Sequence, residues 1–262
     1  MADAPRDDMG SDTMRIAALY DIHGNLPALD AVLDDVRRER VDLIVVGGDV
    51  VPGPMPRETI VRLLKLDIPV QFIRGNGDRV VHATMAGGEP TEVPAAFRGA
   101  IQWTAQQLDP AHERLLGDWP LTLRLRGRDL GDLLFCHATP RNDTDIFTRL
   151  TPDARLVPLF EGVRADLVVC GHTHMQFDRT VGSLRVVNAG SVGMPFGPPG
   201  AYWLLLGPDV ELRHTPYDLD RAAERIRATS YPQAEDFAAR NILDPPTEAT
   251  MLDVFSKTEV SG

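Results

Sequence analysis

Five short apolar runs punctuate the chain, and each ends in Asp, Asn or His. Residues 43–46, Leu-Ile-Val-Val, run into Gly47-Gly48-Asp49. Residues 16–20 run into Asp21-Ile22-His23-Gly24-Asn25, and residues 70–73 into Arg74-Gly75-Asn76-Gly77-Asp78. Residues 133–136 lead to His137, and residues 167–170 to Gly171-His172-Thr173-His174. Such runs predict buried strands. Between the first three, apolar positions recur at helical spacing: Leu26, Leu29, Val32, Leu33 and Val36, then Ile60, Leu63 and Leu64. This β-α-β-α-β rhythm predicts parallel strands with right-handed crossovers.

Beyond residue 79 the rhythm changes. Helices are expected over 93–108 and 110–116, inside an insertion of about 79–120. It follows a ligand-bearing loop directly and so is placed to act as a lid. A hairpin is expected from 121–125 and 133–136, and a helix near 153–162. Glycine-containing turns predict two further hairpins, 177–181 with 184–188 and 201–206 with 210–214. The second half therefore reads as antiparallel, and the whole as two sheets with helices outside. A charged amphipathic helix is expected over 219–228. Residues 1–13, polar and acidic, read as a disordered leader. Residues 14–229 form the main domain, and 230–262 a C-terminal helical extension or tail.

Composition narrows the partners. With 262 residues and 43% hydrophobic side chains, one large domain with a real core is expected. A net charge of −11 argues against nucleic-acid polymers and anionic membranes as partners. It permits a small anionic substrate, because bound metals reverse the local field. The two cysteines, Cys136 and Cys170, lie in strand-like runs and read as buried thiols. No run has signal-peptide character or the length of a membrane span, so the cytoplasm is the expected compartment. A homo-oligomer is compatible with the sequence.

The chemistry lies at the ends of the runs. Asp21, His23, Asp49, Asn76, His137, His172 and His174 are oxygen and nitrogen ligands of hard or borderline metals. Seven ligands suit two ions when one carboxylate is shared, and Asp49, with two oxygens, is the natural shared residue. Asp21 and His23 stand two apart, so an extended chain would turn both to one face. Asn25 reads as a helix cap, and His82, His112 and His214 as packing or surface residues. Two divalent ions facing two aspartates and a hydroxide keep a small positive excess, which suits a phosphoryl oxyanion. A two-metal site activates water and clamps both the attacking and leaving oxygens of an in-line displacement.

Asp21-x-His23, Gly48-Asp49, Gly75-Asn76-x-Asp78, His137 and Gly171-His172-x-His174, in that order, resemble the five motifs of the calcineurin-like metallophosphoesterases. The likeness spans about residues 14–214. Asn188-Ala189-Gly190-Ser191-Val192-Gly193 and Tyr217-Asp218-Leu219-Asp220 resemble the branch of small bacterial and archaeal phosphodiesterases. The resemblance implies an α/β fold, a four-layer αββα sandwich of two mixed sheets. It implies one metal on Asp21, His23, Asp49 and His174, and a second on Asp49, Asn76, His137 and His172. The ions it implies are manganese, iron, zinc or nickel, with manganese first. Its substrates would be small phosphodiesters or nucleotides, attacked by a hydroxide bridging the metals.

One departure stands out. Many members carry His after the Asn of the third motif, as general acid or transition-state stabiliser, and this chain has Gly77. Besides Asp49, Asn76 and His137, the catalytic candidates are Arg74 and Asp78, for which the competing reading is a salt-bridged turn. Arg141 and Asn142 are further phosphate-site candidates, with a solvated loop as the competing reading. Two alternative functions remain at this point: a phosphomonoesterase of the protein Ser/Thr phosphatase kind, and a non-catalytic metal-binding interaction module.

Overall fold

The computed structural model describes residues 14–127 and 129–260. The leader expected at 1–13 lies outside them. In chain order, β1 (Ile16–Leu19), α1 (Leu26–Glu39), β2 (Leu43–Val46), α2 (Pro56–Leu64) and β3 (Val70–Phe72) follow the expected rhythm. Then come α3 (Asn76–Met85), α4 (Ala95–Gln107), α5 (Pro110–Asp118), β4 (Thr122–Gly127) and β5 (Gly131–Cys136). The rest is α6 (Asp153–Leu156), β6 (Leu167–Cys170), β7 (Phe177–Val181), β8 (Leu184–Asn188), β9 (Ala201–Leu206), β10 (Val210–Thr215), α7 (Leu219–Arg227), α8 (Ala234–Phe237) and α9 (Glu248–Ser256).

Both faces of each central strand are apolar, and each face enters a different layer. Alternate side chains of a strand point to opposite sides. In β1, Ala17 and Leu19 join a core with helices, whereas Ile16 and Ala18 join a core between the sheets. β2 divides likewise, Ile44 and Val46 outward and Leu43 and Val45 inward. From the other sheet, Leu133 and Phe135 of β5 face the inter-sheet core, and Leu134 and Cys136 face a third, outer core. Three cores between four layers make the αββα sandwich. α1, α2 and α7 cover the first sheet through Val32, Ile60 and Ile226. On the second sheet the outer layer is thinner: Phe147, α6 and a 3-10 turn, Val157–Leu159. The helix expected over 153–162 stops early because Pro158 has no N–H with which to extend it.

Strand order is β10-β9-β1-β2-β3 in one sheet and β4-β5-β6-β8-β7 in the other. The hairpins form where expected, but the second half is not simply antiparallel. β5, β6 and β8 are parallel, with β4 and β7 antiparallel at the edges. β9 and β10 instead extend the first sheet, β9 running antiparallel to β1. Both sheets are therefore mixed. Both cysteines are free and buried, and burial pushes their thiols up.

One segment differs from its sequence reading. Gly75-Asn76-Gly77 looked like a turn, yet Asn76 opens α3. The Asp78 carboxylate accepts from the Gly75 N–H and so satisfies the N-cap donor of α3. Val80 and Val81 of α3, Ile101 and Ala105 of α4 and Leu116 of α5 all enter the first core. Trp119 stacks on Phe72 with centroids 4.9 Å apart, fastening the return to β3. Within residues 230–260, α8 and α9 form. α8 continues as a π-helical turn, Ala238–Leu243, and Phe237, Ala238 and Ile242 are buried in the first core. Phe237 and Ile242 alone contribute roughly 3–6 kcal/mol of apolar burial.

Candidate metal centre

All seven candidate ligands stand at the carboxyl ends of β1, β2, β3, β5 and β6, where the two sheets meet. Asp21, His23, Asp49, His172 and His174 have φ of 53°, 50°, 52°, 65° and 57°. Among the described residues only one other non-glycine, Arg40 at a helix end, has positive φ. Left-handed backbone costs an L-residue roughly 1–2 kcal/mol, and clusters of such residues mark functional sites. It also replaces the extended-chain reasoning for Asp21 and His23, which converge because the backbone coils after β1.

The coiled loops lock together across strands. The Asp21 N–H donates to the Gly48 carbonyl at 3.1 Å, and the His23 N–H to the Asp49 carbonyl at 2.9 Å. Each carboxylate then has one oxygen tied and one bare. Asp21 Oδ2 accepts from the His172 N–H at 2.9 Å. Its Oδ1 is buried without a hydrogen-bond partner, 3.3 Å from His174 Nε2 and 3.8 Å from His137 Nε2. Asp49 Oδ1 accepts from the Gly77 N–H at 2.7 Å. Its Oδ2 lies 3.8 Å from His23 Nε2 and 3.7 Å from His137 Nε2. One oxygen of Asp49, not two, thus faces the imidazoles.

Three imidazoles are oriented alike. Backbone carbonyls only accept, so Nδ1–H donates: from His23 to Pro52 at 3.1 Å, from His137 to Gly47 at 2.9 Å, and from His174 to Met194 at 2.6 Å. Each Nε2 is left as a lone pair aimed inward, the arrangement metal-binding histidines use. His23 and His174 bring Nε2 atoms within 3.3 Å. Phe196 stacks on His174 at 5.0 Å and is itself met by Phe255 of α9.

Asn76, His137 and His172 form the other side. The Asn76 amide lies 3.1 Å from His137 Nε2, 3.1 Å from His172 Nδ1 and 3.3 Å from the Asp143 carbonyl. With nitrogen inward its two N–H donors face three acceptors. With oxygen inward it meets only acceptors, an arrangement that a cation among them resolves.

The glycines of the third motif permit this approach. A Cβ on Gly75 would lie 2.2 Å from Asp49 Oδ1. One on Gly77 would lie 2.5 Å from Pro52 Cγ and 3.0 Å from Asp49 Oδ1. A side chain at position 77 would thus require Pro52 to shift and would crowd Asp49.

The remaining candidates separate clearly. Asp78 is buried and accepts from the N–H groups of Val50, Val51 and Gly75 at 2.8, 3.1 and 3.1 Å. Burial, then the Asp49 charge, pushes its carboxyl up to about 7 against those donors. No salt bridge joins it to Arg74, whose Nε is buried without a partner. Arg141, itself exposed, pairs with Asp145, and the Asn142 side-chain oxygen accepts from the N–H groups of Thr144 and Asp145, so the loop is braced by its own hydrogen bonds. His82 packs its Nε2 against Gly117 of α5 rather than among the ligands. His112 closes the capping box of α5, and His214 packs on Tyr202.

Four further residues brace the site, of which the sequence reading named Asn25 as a cap and Asn188 and Ser191 within a motif, but not Arg79. Arg79 holds Asp143 through two nitrogens and also pairs with Glu92, fixing the carbonyl beside Asn76. Ser191 Oγ donates to the Asp21 carbonyl at 2.7 Å. Asn188 Nδ2 donates to the Gly171 carbonyl at 2.6 Å and bonds Thr173. Asn25 caps α1 by accepting from the Ala28 N–H, and also donates to the Gly193 carbonyl at 2.9 Å. The 188–193 motif pointed to this region through its family resemblance, but nothing local signalled Arg79.

The electrostatics favour cations. Two groups of donor atoms, Asp21-His23-His174 and Asp21-Asp49-His137, each lie within 4.8 Å of one another. Burial raises the Asp21 carboxyl, but His174 and His137 outweigh it and hold it below the usual carboxylate range. Burial likewise opposes charge on His137 and His174, yet Asp49 and Asp21 raise the first and Asp21 raises the second. Burial lowers His23, and burial with His137 lowers His172 to about 4. A buried, unpartnered carboxylate oxygen among imidazoles is a donor set that suits a divalent metal.

Comparison with known proteins agrees with this geometry. A family model described as the calcineurin-like phosphoesterase superfamily domain matches residues 14–207. An uncharacterized protein of Methanocaldococcus jannaschii is 29% identical over 241 residues, covering 83% of this chain and 94% of that protein. The structure of a metallophosphoesterase from Sphaerobacter thermophilus is similar with a TM-score of 0.66 and 28% identity, covering 87% of this chain and 98% of that one. That of a hypothetical protein from Pyrococcus horikoshii OT3 is similar with a TM-score of 0.76 and 22% identity, covering 89% and 100%. At that identity the last shares the fold alone.

Proposed function

This chain belongs to the calcineurin-like phosphoesterase superfamily, and on that premise we propose that it is a phosphodiesterase dependent on two metal ions, acting on small phosphodiesters or nucleotides. The observation that carries the proposal is the pair of carboxylates, each tied by one backbone N–H and each presenting a bare oxygen to inward-facing imidazoles. Asp21, His23, Asp49 and His174 would hold one ion, and Asp49, Asn76, His137 and His172 the other. Asp49 Oδ2, almost equidistant from His23 and His137, supports the shared role. Oxygen and imidazole donors without thiolate suit manganese, iron, zinc or nickel, manganese first. Bound there, the ions would supply Lewis acidity and a nucleophile drawn from water.

The chain's own groups set the rest. Backbone carbonyls of Gly47, Pro52 and Met194 fix the ring orientations. Asp78 ties the Asp49 loop to the Asn76 helix and is a positioning residue in this reading. α3 to α5, the 79–120 segment, stand beside the site as its cover. Work on small solutes in the cytoplasm accords with a net charge of −11 and with the absence, among the described residues, of a helix able to cross a membrane.

Position 77 shapes the expected kinetics. A general acid contributes about 10²–10⁴-fold, and Gly77 offers no side chain to protonate a leaving oxygen. Metal-loaded protein should therefore hydrolyse nitrophenyl diesters far faster than alkyl diesters. A plot of rate against leaving-group pKa checks this, with a steep negative slope expected. A flat plot would contradict the role given to Gly77, and no hydrolysis of any ester would contradict the proposal itself.

A further inference from the structure

Beside His23 the surface opens into an apolar cleft of about 270 Å³. Phe97, Ala100 and Ile101 of α4 line one wall, and Phe237 and Asn241 of the C-terminal extension line the other. Tyr231 joins the two. It meets Trp103 of α4 edge-on at 5.3 Å and Phe237 edge-on at 6.2 Å. Gln233 Nε2 donates to the Ala96 carbonyl at 3.0 Å, a second tie across the walls. The slot is thus preformed by two elements that the sequence reading kept apart.

We infer that this cleft binds the nucleobase of a nucleotide substrate, an inference that rests on the phosphoesterase reading above. Three features select a flat, uncharged ring. Phe97 is 50% exposed, a large apolar side chain left half in water at the cleft. Stacking a ring on it would remove that surface from water, and every base has a face to stack. No lysine or arginine lines the cleft, whereas Asp236 does, so a second phosphate or an acidic peptide would be repelled. At about 270 Å³ the volume falls just below the roughly 300–1,000 Å³ of small-molecule sites, enough for one ring system and too little for a folded segment. Asn241 and Asp236 add an amide and a carboxylate that can meet the donors and acceptors on a base edge. His23 belongs to both the cleft and the ligand set, so a ring in the slot is continuous with a phosphoryl group at the metals.

The test is calorimetric binding of adenosine monophosphate, phenyl phosphate and inorganic phosphate to the full, metal-loaded chain. Adenosine monophosphate should bind about tenfold or more tighter than phosphate, the range of one aromatic stack. That ratio should fall severalfold in Phe97→Ala, a half-exposed position, and in Ala100→Leu, which fills the slot. Equal affinities in the wild type, or a ratio untouched by either variant, would overturn the inference. Phenyl phosphate binding as tightly as the nucleotide would overturn the nucleobase assignment. Hydrolysis of methyl nitrophenyl phosphate, assayed alongside, separates the two readings. Turnover without a preference for adenosine overturns the cleft alone. A preference lost in Phe97→Ala, without turnover of any ester, upholds the cleft and overturns the phosphoesterase.

Discussion

Asp49→Asn is expected to lose at least one metal ion per chain and to lower hydrolysis at least a hundredfold. Substitutions that merely disturb a ligand's support already cost about 10–100-fold in affinity or activity. The substitution is nearly isosteric, so the fold should persist. Its effect follows from the hydrogen bond at Oδ1, where the Gly77 N–H donates at 2.7 Å. An asparagine must give its carbonyl oxygen to that donor, since an amide nitrogen there would set two donors against each other. The NH₂ group is then forced toward His23 and His137, where Asp49 Oδ2 stands now. A donor replaces a charged acceptor between the two ligand sets. Elemental analysis and kcat/KM measured in saturating metal check this together. Wild-type metal content with wild-type activity would contradict the role given to Asp49.

Asp78→Ala is expected to destabilise the fold by about 3–5 kcal/mol, because three buried N–H groups lose their only described acceptor. The donors come from the loop after β2 and from the N-cap of α3. Their common acceptor holds Asp49 against Asn76. Asp78→Asn, which retains an acceptor oxygen, should lose less. Urea unfolding of the metal-free proteins measures the difference without involving activity. Normal stability combined with lost turnover in Asp78→Ala would assign this carboxylate to catalysis rather than to positioning.

The convergence of the candidate residues was legible because each follows short-range grammar, an apolar run ending in Asp, Asn or His. The two-sheet architecture was legible for the same reason, since strands buried on both faces announce a layer on each side. Sheet membership was not. β9 and β10 read as part of the second half because they follow it, yet Leu204 and Leu206 pair across to β1. Such pairing is decided by the whole core and not by local periodicity. The start of α3 was hidden by Gly75 and Gly77, whose presence reflects the closeness of Asp49 and Pro52 rather than a turn. The left-handed backbone at five candidate residues, the carbonyls that orient the rings and the Arg79–Asp143 brace depend on residues distant in sequence. The cleft at Phe97 was invisible for the same reason, being built from α4 and a segment read only as weakly helical.

The central claim is that two ions share this site, and metal stoichiometry of the wild-type chain tests it most directly. Protein stripped by chelation and titrated with manganese should bind two ions per chain by elemental analysis after dialysis, and hydrolysis of a nitrophenyl diester should reach its maximum only at the second equivalent. Saturation at one ion per chain with full activity, or full activity in the stripped protein, would contradict it.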